Sequence, residues 1–323
     1  MGLNVTPVRE ISPDTLLDRA NALISTYKTA SNPELIQQLP QAAAELGDLC
    51  PPPDPATGLH VLRGLNADDT ALGATPPSWS DVSPTRTAEW DVVLLLLAGA
   101  MGRPFGWEGQ QDGRLVHDIV PSRGHEHEQT GASSTVTLSA HNEDAFHHRR
   151  AHLMLLGCLR NPDRVATSAA SVRHASLEDA DVEALSAPVL PILPDDAYDE
   201  ARDSPLEPPR VPTLWHGEDG LCLRFDPAYT PLEQAGADYR AAYGRLCREL
   251  DRVKVGVRLE PGDVLVIDND AVVHGREPFR ARYDGTDRWL KRVSVRLPGR
   301  DRPSAEAAEH GYGQQPIDPY EEG

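Results

Sequence analysis

The sequence predicts an α+β fold in which helices flank a β-sandwich or jelly roll. Helical patterns open the chain, and short segments that are β-branched or alternate in polarity follow them, each bounded by turn residues. The chain shows no regular alternation of strands and helices, and no GxGxxG or Walker sequence follows a strand. Nucleotide-binding folds are therefore disfavoured, and a layered sheet core is favoured.

The predicted helices begin at prolines that suit a first helical turn. Ser12-Pro13 starts a helix that carries apolar residues at helical spacing, and a second helix is predicted from Pro33 to about Asp48. The proline run at residues 51–53 ends that second helix. Residues Ala88 to Met101 predict a buried helix, and Pro231 to Val253 predicts a long amphipathic one.

The predicted strands are short, and they are distributed along the chain between residues 59 and 296. Each is alternating, apolar or β-branched, and most are bounded by turn residues. They are Leu59–Leu65, Leu115–Val120, Thr135–Ala140, Ala151–Leu159, the VLVIDN segment after Pro261-Gly262-Asp263, and Arg288–Arg296.

Composition and charge narrow the classes of function. The 323 residues carry a net charge of −19, which argues against nucleic-acid binding because phosphates require a basic face. An acidic surface tolerates small cationic substrates. No signal peptide is visible, and the apolar run Val92–Met101 is about half of a membrane span. Four scattered cysteines without a CxxC pair suit a reducing cytoplasm. We therefore expect a cytoplasmic protein whose partner is a small molecule, with neither a nucleic acid nor a membrane as partner; the sequence does not fix its oligomeric state.

We expect one domain over residues 1–323. It comprises a helical part to about residue 57, a sheet core over about 58–297 and a polar tail over 298–323. The stretch Asp195–Pro212 is rich in proline and acidic residues, a composition that cannot build a core. It is predicted to be a mobile loop and a candidate active-site lid.

Two histidines and one carboxylate on one face of an iron leave open positions for a cosubstrate and oxygen. A His and an acid two residues apart on a strand point to the same face. Both His141-Asn142-Glu143 and His216-Gly217-Glu218 have this spacing. The first pair follows an alternating strand segment, whereas His216 lies among glycines and is predicted to be a loop histidine. His274, after a distant apolar segment, is the candidate third ligand.

Two arginines follow His274 on the last predicted strand. Arg288 and Arg292 are four residues apart, so both project to one face. Arginine forks bind carboxylates in a bidentate manner. A dicarboxylate cosubstrate and an amino-acid carboxylate would use one arginine each.

Three stretches of the chain resemble the clavaminate synthase-like oxygenases, a group that includes L-arginine, L-lysine and L-asparagine hydroxylating enzymes. The stretches are HNEDAFHHRRAHLMLLGCLRNPDRVAT, the highly specific PGDVLVIDNDAVVHGREPFRARYDGTDRWLKR and, more weakly, GQQDGRLVHDIVPSRGHEHEQ. The resemblance covers most of residues 58 to 297. It implies a distorted double-stranded β-helix, or jelly roll, with flanking helices.

The resemblance also implies roles for individual residues. They are Fe(II) ligation by His141, Glu143 and His274, binding of the distal 2-oxoglutarate carboxylate by Arg288 with help from Thr167, binding of the substrate α-carboxylate by Arg292, and substrate contacts by Gln110 and Asp226.

The reaction that the resemblance implies is hydroxylation of a free L-amino acid, with O₂ and 2-oxoglutarate as cosubstrates and succinate and CO₂ released. Related halogenases replace the metal carboxylate with a small residue, and Glu143 is present here. Asp226 would pair with a basic side chain. Arginine-directed relatives present two acids in this segment, but here Pro227 and Ala228 follow Asp226, so lysine, ornithine and other amino acids stay open beside arginine.

Other functions remain open at the level of sequence. The same site in relatives performs desaturation or oxidative cyclisation. A zinc hydrolase would use the same three ligands with water in the fourth place. A non-catalytic jelly-roll binding protein would carry an inert metal site.

Overall fold

The computed structural model describes residues 6–46, 50–195, 198 and 207–320. The helices are α1 (Pro13–Tyr27), α2 (Pro33–Ala44), α3 (Asp69–Leu72), α4 (Ala88–Met101), α5 (Asp179–Ser186) and α6 (Ala237–Val253). The strands of the first half are β1 (Val8–Glu10), β2 (Leu59–Arg63), β3 (Arg103–Trp107), β4 (Val116–Ile119), β5 (Leu138–His141), β6 (Leu153–Arg160) and β7 (Thr167–Ser171). Those of the second half are β8 (Leu214–Gly217), β9 (Gly220–Leu223), β10 (Val255–Val257), β11 (Val264–Asp268), β12 (Val272–Arg276), β13 (Trp289–Arg296) and β14 (Pro316–Ile317). Among the described residues, no helix combines the length and the hydropathy that a membrane span requires.

The helices of the first hundred residues begin where the sequence predicts. Pro13 and Pro33 occupy the first turns of α1 and α2, and the Asn32 side chain caps α2 by accepting the backbone N–H groups of Glu34 and Leu35. Helix α2 ends at Ala44, four residues before the predicted end. Helix α4 is buried on nearly all sides, which explains why it lacks an amphipathic pattern.

The strands of the described part of the chain form a large sheet, a smaller sheet and a hairpin. The large sheet has the order β1-β2-β11-β6-β13-β3-β14, and β4 also pairs with β13. The smaller sheet has the order β10-β7-β12-β5, and β8 pairs with β9. Strand β1 runs parallel to β2, whereas the other paired strands are antiparallel.

Successive side chains of the large sheet point to opposite faces, and both faces are apolar. Leu155 and Val293 face α4 and the N-terminal helices, while Leu156 and Leu290 belong to a cluster shared with the smaller sheet. Helix α6 packs on the far side of the smaller sheet through residues such as Leu246. The molecule is therefore layered as helices, large sheet, smaller sheet and helices.

One expectation from the sequence differs from the structure. His216 lies on β8 in an exposed position, not in a loop, because Leu214–Gly217 pairs with β9. In the tail, Arg300 and Arg302 form ion pairs with Asp268 and Asp270 of the core. The predicted lid falls largely on residues 196–197 and 199–206, which lie outside the described residues.

Candidate iron and cosubstrate site

Two neighbouring strands bring the three predicted metal ligands together. His141 at the end of β5 pairs in register with His274 on β12. Their ring centroids are 4.5 Å apart, and His274 Nε2 lies 3.5 Å from a Glu143 carboxylate oxygen. One ligand atom from each of the three residues lies within 4.8 Å of the others. The pairing of β5 with β12 thus brings His141 and His274 together, although they are far apart in the sequence.

The position of Glu143 corrects the sequence argument. Strand β5 ends at His141, so Glu143 lies in the turn that follows and not on the same strand face. A side-chain amide holds this turn: the Glu143 N–H donates to Asn269 Oδ1 over 2.8 Å, and Asn269 Nδ2 donates to the Glu143 carbonyl over 3.1 Å. The hydrogen bonds between the Glu143 backbone and Asn269, rather than the geometry of a strand, therefore position Glu143.

The electrostatics of the triad suit a divalent cation. Burial opposes ionisation of Glu143, but Arg292 and the two histidines hold the pKa of this carboxyl below its usual range. Burial, and then the neighbouring His274, lower the pKa of His141. The His141 Nδ1–H faces the Ser139 carbonyl at 2.8 Å, which leaves Nε2 as the ligand atom. Two histidines and one carboxylate are the donor set of non-haem Fe(II) oxygenases.

A cavity of about 140 Å³ adjoins the triad and contains the predicted cosubstrate arginine. Arg288 is buried, and it donates from Nη2 to Thr167 Oγ1 over 3.0 Å. Burial lowers the pKa of Arg288 to about 10, and its Nε has no hydrogen-bond partner among the described residues. The structure thus places Arg288 and Thr167 together, with donors available for an anion.

Sequence reasoning missed a second arginine in this cavity. Arg276, two residues after His274, is buried and donates to the carbonyls of Ser133 and Val136. Within the described part of the chain, neither Arg276 nor Arg288 forms an ion pair with a carboxylate. Buried positive charge of this kind favours an anionic ligand.

Arg292 lines the same cavity on the metal side. Its Nη1 pairs with a Glu143 oxygen, and its Nη2 donates to Gln110 Oε1 over 2.8 Å and to His117 Nδ1 over 2.9 Å. The structure therefore brings Arg292 and Gln110 into direct contact. His117 was missed in the sequence, although it pairs in register with Arg292 across β4 and β13.

Two acids from different parts of the chain lie near the triad or line the cavity beside it. Asp226 is buried, and burial raises the pKa of its carboxyl to about 6 against the opposing effect of His141. Asp195, which the sequence placed only at the start of the lid, lines the cavity. A second acid is thus present near the site, but it comes from a segment that lies well before Asp226 in the chain.

Comparisons with known proteins identify the family to which the chain belongs. The family model described as taurine catabolism dioxygenase TauD, TfdA family, matches residues 203–294. The chain is 41% identical over 262 residues to enduracididine beta-hydroxylase of Streptomyces hygroscopicus, covering 74% of this chain and 76% of that protein. It is 34% identical over 307 residues to L-ornithine/L-arginine 3-hydroxylase of Catenulispora acidiphila, covering 84% and 88%.

Solved structures show the same likeness. The non-haem iron oxygenase OrfP in complex with Fe and alpha-ketoglutaric acid matches with a TM-score of 0.78 and 37% identity, covering 90% of this chain and 94% of that one. OrfP with Fe, succinate and (3S)-hydroxy-L-Arg matches with a TM-score of 0.80 and 36% identity over the same shares. Clavaminate synthase 2 of Streptomyces clavuligerus is 32% identical over 266 residues, which cover 81% of each chain. The chain is therefore a member of the TauD/TfdA dioxygenase family, in the group that contains the clavaminate synthase-like amino-acid oxygenases.

Proposed function

We propose that this protein is an Fe(II)- and 2-oxoglutarate-dependent hydroxylase of a free basic L-amino acid. The observation that carries the proposal is the cavity in which the 2-His-1-carboxylate triad adjoins buried arginines. His141, Glu143 and His274 would hold the iron. Bound Fe(II) with 2-oxoglutarate and O₂ supplies the oxidising chemistry that converts a C–H bond to C–OH, with succinate and CO₂ as co-products.

The residues of the chain position both organic reactants around the metal. Arg288 and Thr167 would bind the distal 2-oxoglutarate carboxylate, where a charge-assisted fork is strongest in a buried cavity. Arg292 lies between Glu143 and Gln110 and would bind the substrate α-carboxylate near the metal. Binding both reactants in fixed poses aims one substrate carbon at the metal.

A basic substrate is supported by acids on the substrate side and by the relatives. Asp226 is close enough to the metal ligands to interact electrostatically with His141, and Asp195 lines the cavity. Relatives are named for hydroxylating ornithine and arginine, lysine, and enduracididine. We place arginine and lysine first, followed by other free amino acids.

We further propose that residues 1–323 form one oxygenase domain with a jelly-roll core. The face-to-face packing of the two sheets, with β5 and β12 carrying two of the metal ligands, supports this assignment. A hydrolytic zinc site would leave the buried pair Arg276 and Arg288 without a ligand, which favours the oxygenase over that alternative.

The proposal predicts that a basic L-amino acid stimulates succinate formation. Purified protein with Fe(II), ascorbate and 2-oxoglutarate would be screened across the free L-amino acids, and product masses would be read in parallel. We expect stimulation by arginine, lysine or ornithine and a product heavier by one oxygen atom. A product lighter by two hydrogen atoms would instead show desaturation or cyclisation.

Two variants control this experiment. Glu143→Ala removes a metal ligand and should abolish amino-acid-dependent succinate formation. Asp226→Asn removes a negative charge but no metal ligand, so it should raise the KM for a basic substrate by about tenfold while leaving a neutral amino acid unaffected. Absence of stimulation by every amino acid would contradict the proposed substrate class.

A further inference from the structure

Asp144 follows the metal ligand Glu143 and lies at the centre of a buried hydrogen-bond network. Its carboxylate accepts from Trp107 Nε1 over 2.8 Å, from Gln110 Nε2 over 3.3 Å and from the Tyr198 hydroxyl over 3.1 Å. Its backbone has a φ of 52°, a left-handed conformation that is uncommon outside glycine. Local strain of this kind persists where surrounding contacts fix the residue. Here three donors do so, two from the segment that contains Trp107 and Gln110 and one from Tyr198.

The contact with Asp144 decides how the Gln110 amide is turned. A glutamine amide carries a donor end and an acceptor end of nearly the same shape, so its partners determine which end faces which way. A carboxylate only accepts hydrogen bonds, and it therefore selects the NH₂ end of Gln110. The carbonyl end, Oε1, is left facing Arg292 Nη2 at 2.8 Å.

Arg292 in turn is held by acceptors on both of its terminal nitrogens. Nη1 pairs with Glu143, and Nη2 donates to Gln110 and to His117. If the Gln110 amide were reversed, its NH₂ group would face the guanidinium, and two donors would oppose each other. The orientation of Arg292 toward the cavity thus depends on a residue that it does not touch.

We propose that Asp144 is a positioning residue for substrate binding: it fixes the Gln110 amide so that Gln110 holds Arg292 in the pose that receives the substrate α-carboxylate. This inference rests on the proposed function, in which Arg292 binds that carboxylate. It assigns to Asp144 a role separate from metal binding, although its neighbour Glu143 is a metal ligand.

The test compares Asp144→Asn, Gln110→Met and the double variant in the iron-loaded enzyme with L-arginine, L-lysine or L-ornithine as the substrate. Asparagine keeps the shape of aspartate but replaces one carboxylate oxygen with an NH₂ group. One of the three donors, which include the Gln110 amide, must therefore turn away. We expect Asp144→Asn to raise the amino-acid KM about tenfold. The cosubstrate KM should change by less than about twofold, because Arg288 is not part of this path. The affinity for Mn(II) should change less than the amino-acid KM, because Glu143 contacts Arg292 through Nη1, whereas Gln110 holds Nη2.

Two further comparisons separate positioning from general packing. Gln110→Met should raise the amino-acid KM by a similar factor, and the double variant should be no worse than Gln110→Met alone, since both changes break one path. Tyr198→Phe removes a donor to the same carboxylate but leaves Gln110 facing it, so its amino-acid KM should stay within about twofold of the wild type. If Asp144→Asn does not fold, the contrast between Gln110→Met and Tyr198→Phe still tests the path.

The outcomes are distinguishable. An unchanged amino-acid KM in Asp144→Asn, additive effects in the double variant, or an equal rise in the cosubstrate KM and the Mn(II) dissociation constant would overturn the inference and leave the proposed function standing. If no basic amino acid stimulated the wild-type enzyme, the proposed function would fail and the inference with it.

Discussion

Arg288 and Arg276 are single residues that indicate an anionic ligand, because no carboxylate of the described residues pairs with their buried positive charges. Both guanidiniums are buried in the cavity beside the triad, and burial lowers the pKa of each to about 10. Arg276 is engaged by carbonyl oxygens, whereas Arg288 has only the Thr167 hydroxyl among its described partners. Arg288 is therefore the residue with donors to spare for a carboxylate.

Replacing Arg288 should separate the two reactants kinetically. In Arg288→Gln, we expect the cosubstrate KM, measured with 2-oxoglutarate, to rise by about tenfold to a hundredfold, because a buried charge-assisted pair is lost. Thr167→Val keeps the shape and should cost less, about fivefold. Initial rates over a range of concentrations of each reactant measure both constants. An amino-acid KM that rose as much as the cosubstrate KM would argue that Arg288 serves the substrate.

At the scale of elements, the turn between β11 and β12 holds the backbone of the candidate metal ligand Glu143. Asn269 lies in this turn, is fully buried, and pairs with both backbone polar groups of Glu143. The Asn142 side chain reinforces the contact by donating to the Asn269 carbonyl over 2.7 Å. Because Glu143 is beyond the end of β5, these side-chain amides supply the precision that strand pairing supplies for His141 and His274.

Asn269→Ala should therefore weaken metal binding. We expect about tenfold weaker Mn(II) binding, measured by calorimetry on protein freed of metal by a chelator, since outer partners of ligands contribute on this scale. Asn161→Ala is a matched control: Asn161 is also buried and pairs by its amide with the N–H and the carbonyl of Val165, and it forms no hydrogen bond with the triad among the described residues.

The two variants should lose similar amounts of thermal stability, because each leaves buried backbone groups unpaired. Only Asn269→Ala should lose Mn(II) affinity. Equal Mn(II) affinities in the two variants would show that the turn does not position Glu143.

At the scale of the whole molecule, ion pairs connect the tail to the metal site. Asp268 and Asp270 flank Asn269 in the chain, and they pair with Arg300 and Arg302 of the tail. Arg150 joins the same network through Asp270 and Glu306 of the tail. The turn that holds Glu143 is thus anchored by ion pairs with the tail.

Buried histidines distributed over the molecule predict instability in acid. Burial lowers the pKa to about 4 for His60, about 3 for His117 and about 2 for His147 and His152. In the unfolded chain these groups titrate near the ordinary value of about 6.5. As pH falls below that value the unfolded state binds protons that the folded state does not, so the free energy of unfolding falls by up to about 1.4 kcal/mol per pH unit for each group.

Urea unfolding at pH 8, 6.5 and 5.5 (values chosen to bracket about 6.5) measures this loss, which should be absent above about pH 7 and steep below about pH 6. His60→Leu is an informative variant, because neither ring nitrogen of His60 has a hydrogen-bond partner among the described residues. Below about pH 6, the slope of the free energy of unfolding against pH should fall in this variant by the contribution of about one proton. An unchanged slope would show that His60 is not a source of the acid sensitivity.

The extent of prediction from sequence follows from how local each signal is. Helix α4 was predicted with the bounds that the structure gives, because its apolar run is continuous along the chain. Both ends of strands β2, β4, β6 and β13 were predicted to within about two residues, since alternation and turn residues are also local signals. Strand β5 was predicted to begin at Thr135 and end at Ala140, whereas it runs from Leu138 to His141, because its polarity pattern extends beyond its pairing.

The sequence by itself determined which side chains to expect at the site: motifs point to His141, Glu143, His274, Arg288 and Arg292, and these five residues line one cavity. Only the tertiary structure decided which side chains complete the site. Asp195 and His117 reach it from segments far from the predicted ligands in the chain. Asp144, Asn269 and Arg276 lie near Glu143 or His274 in the chain, but the motifs assigned them no role. The physical reason is that the packing of the layers decides which buried polar groups meet as partners. Proximity of this kind leaves no periodic signal in the chain.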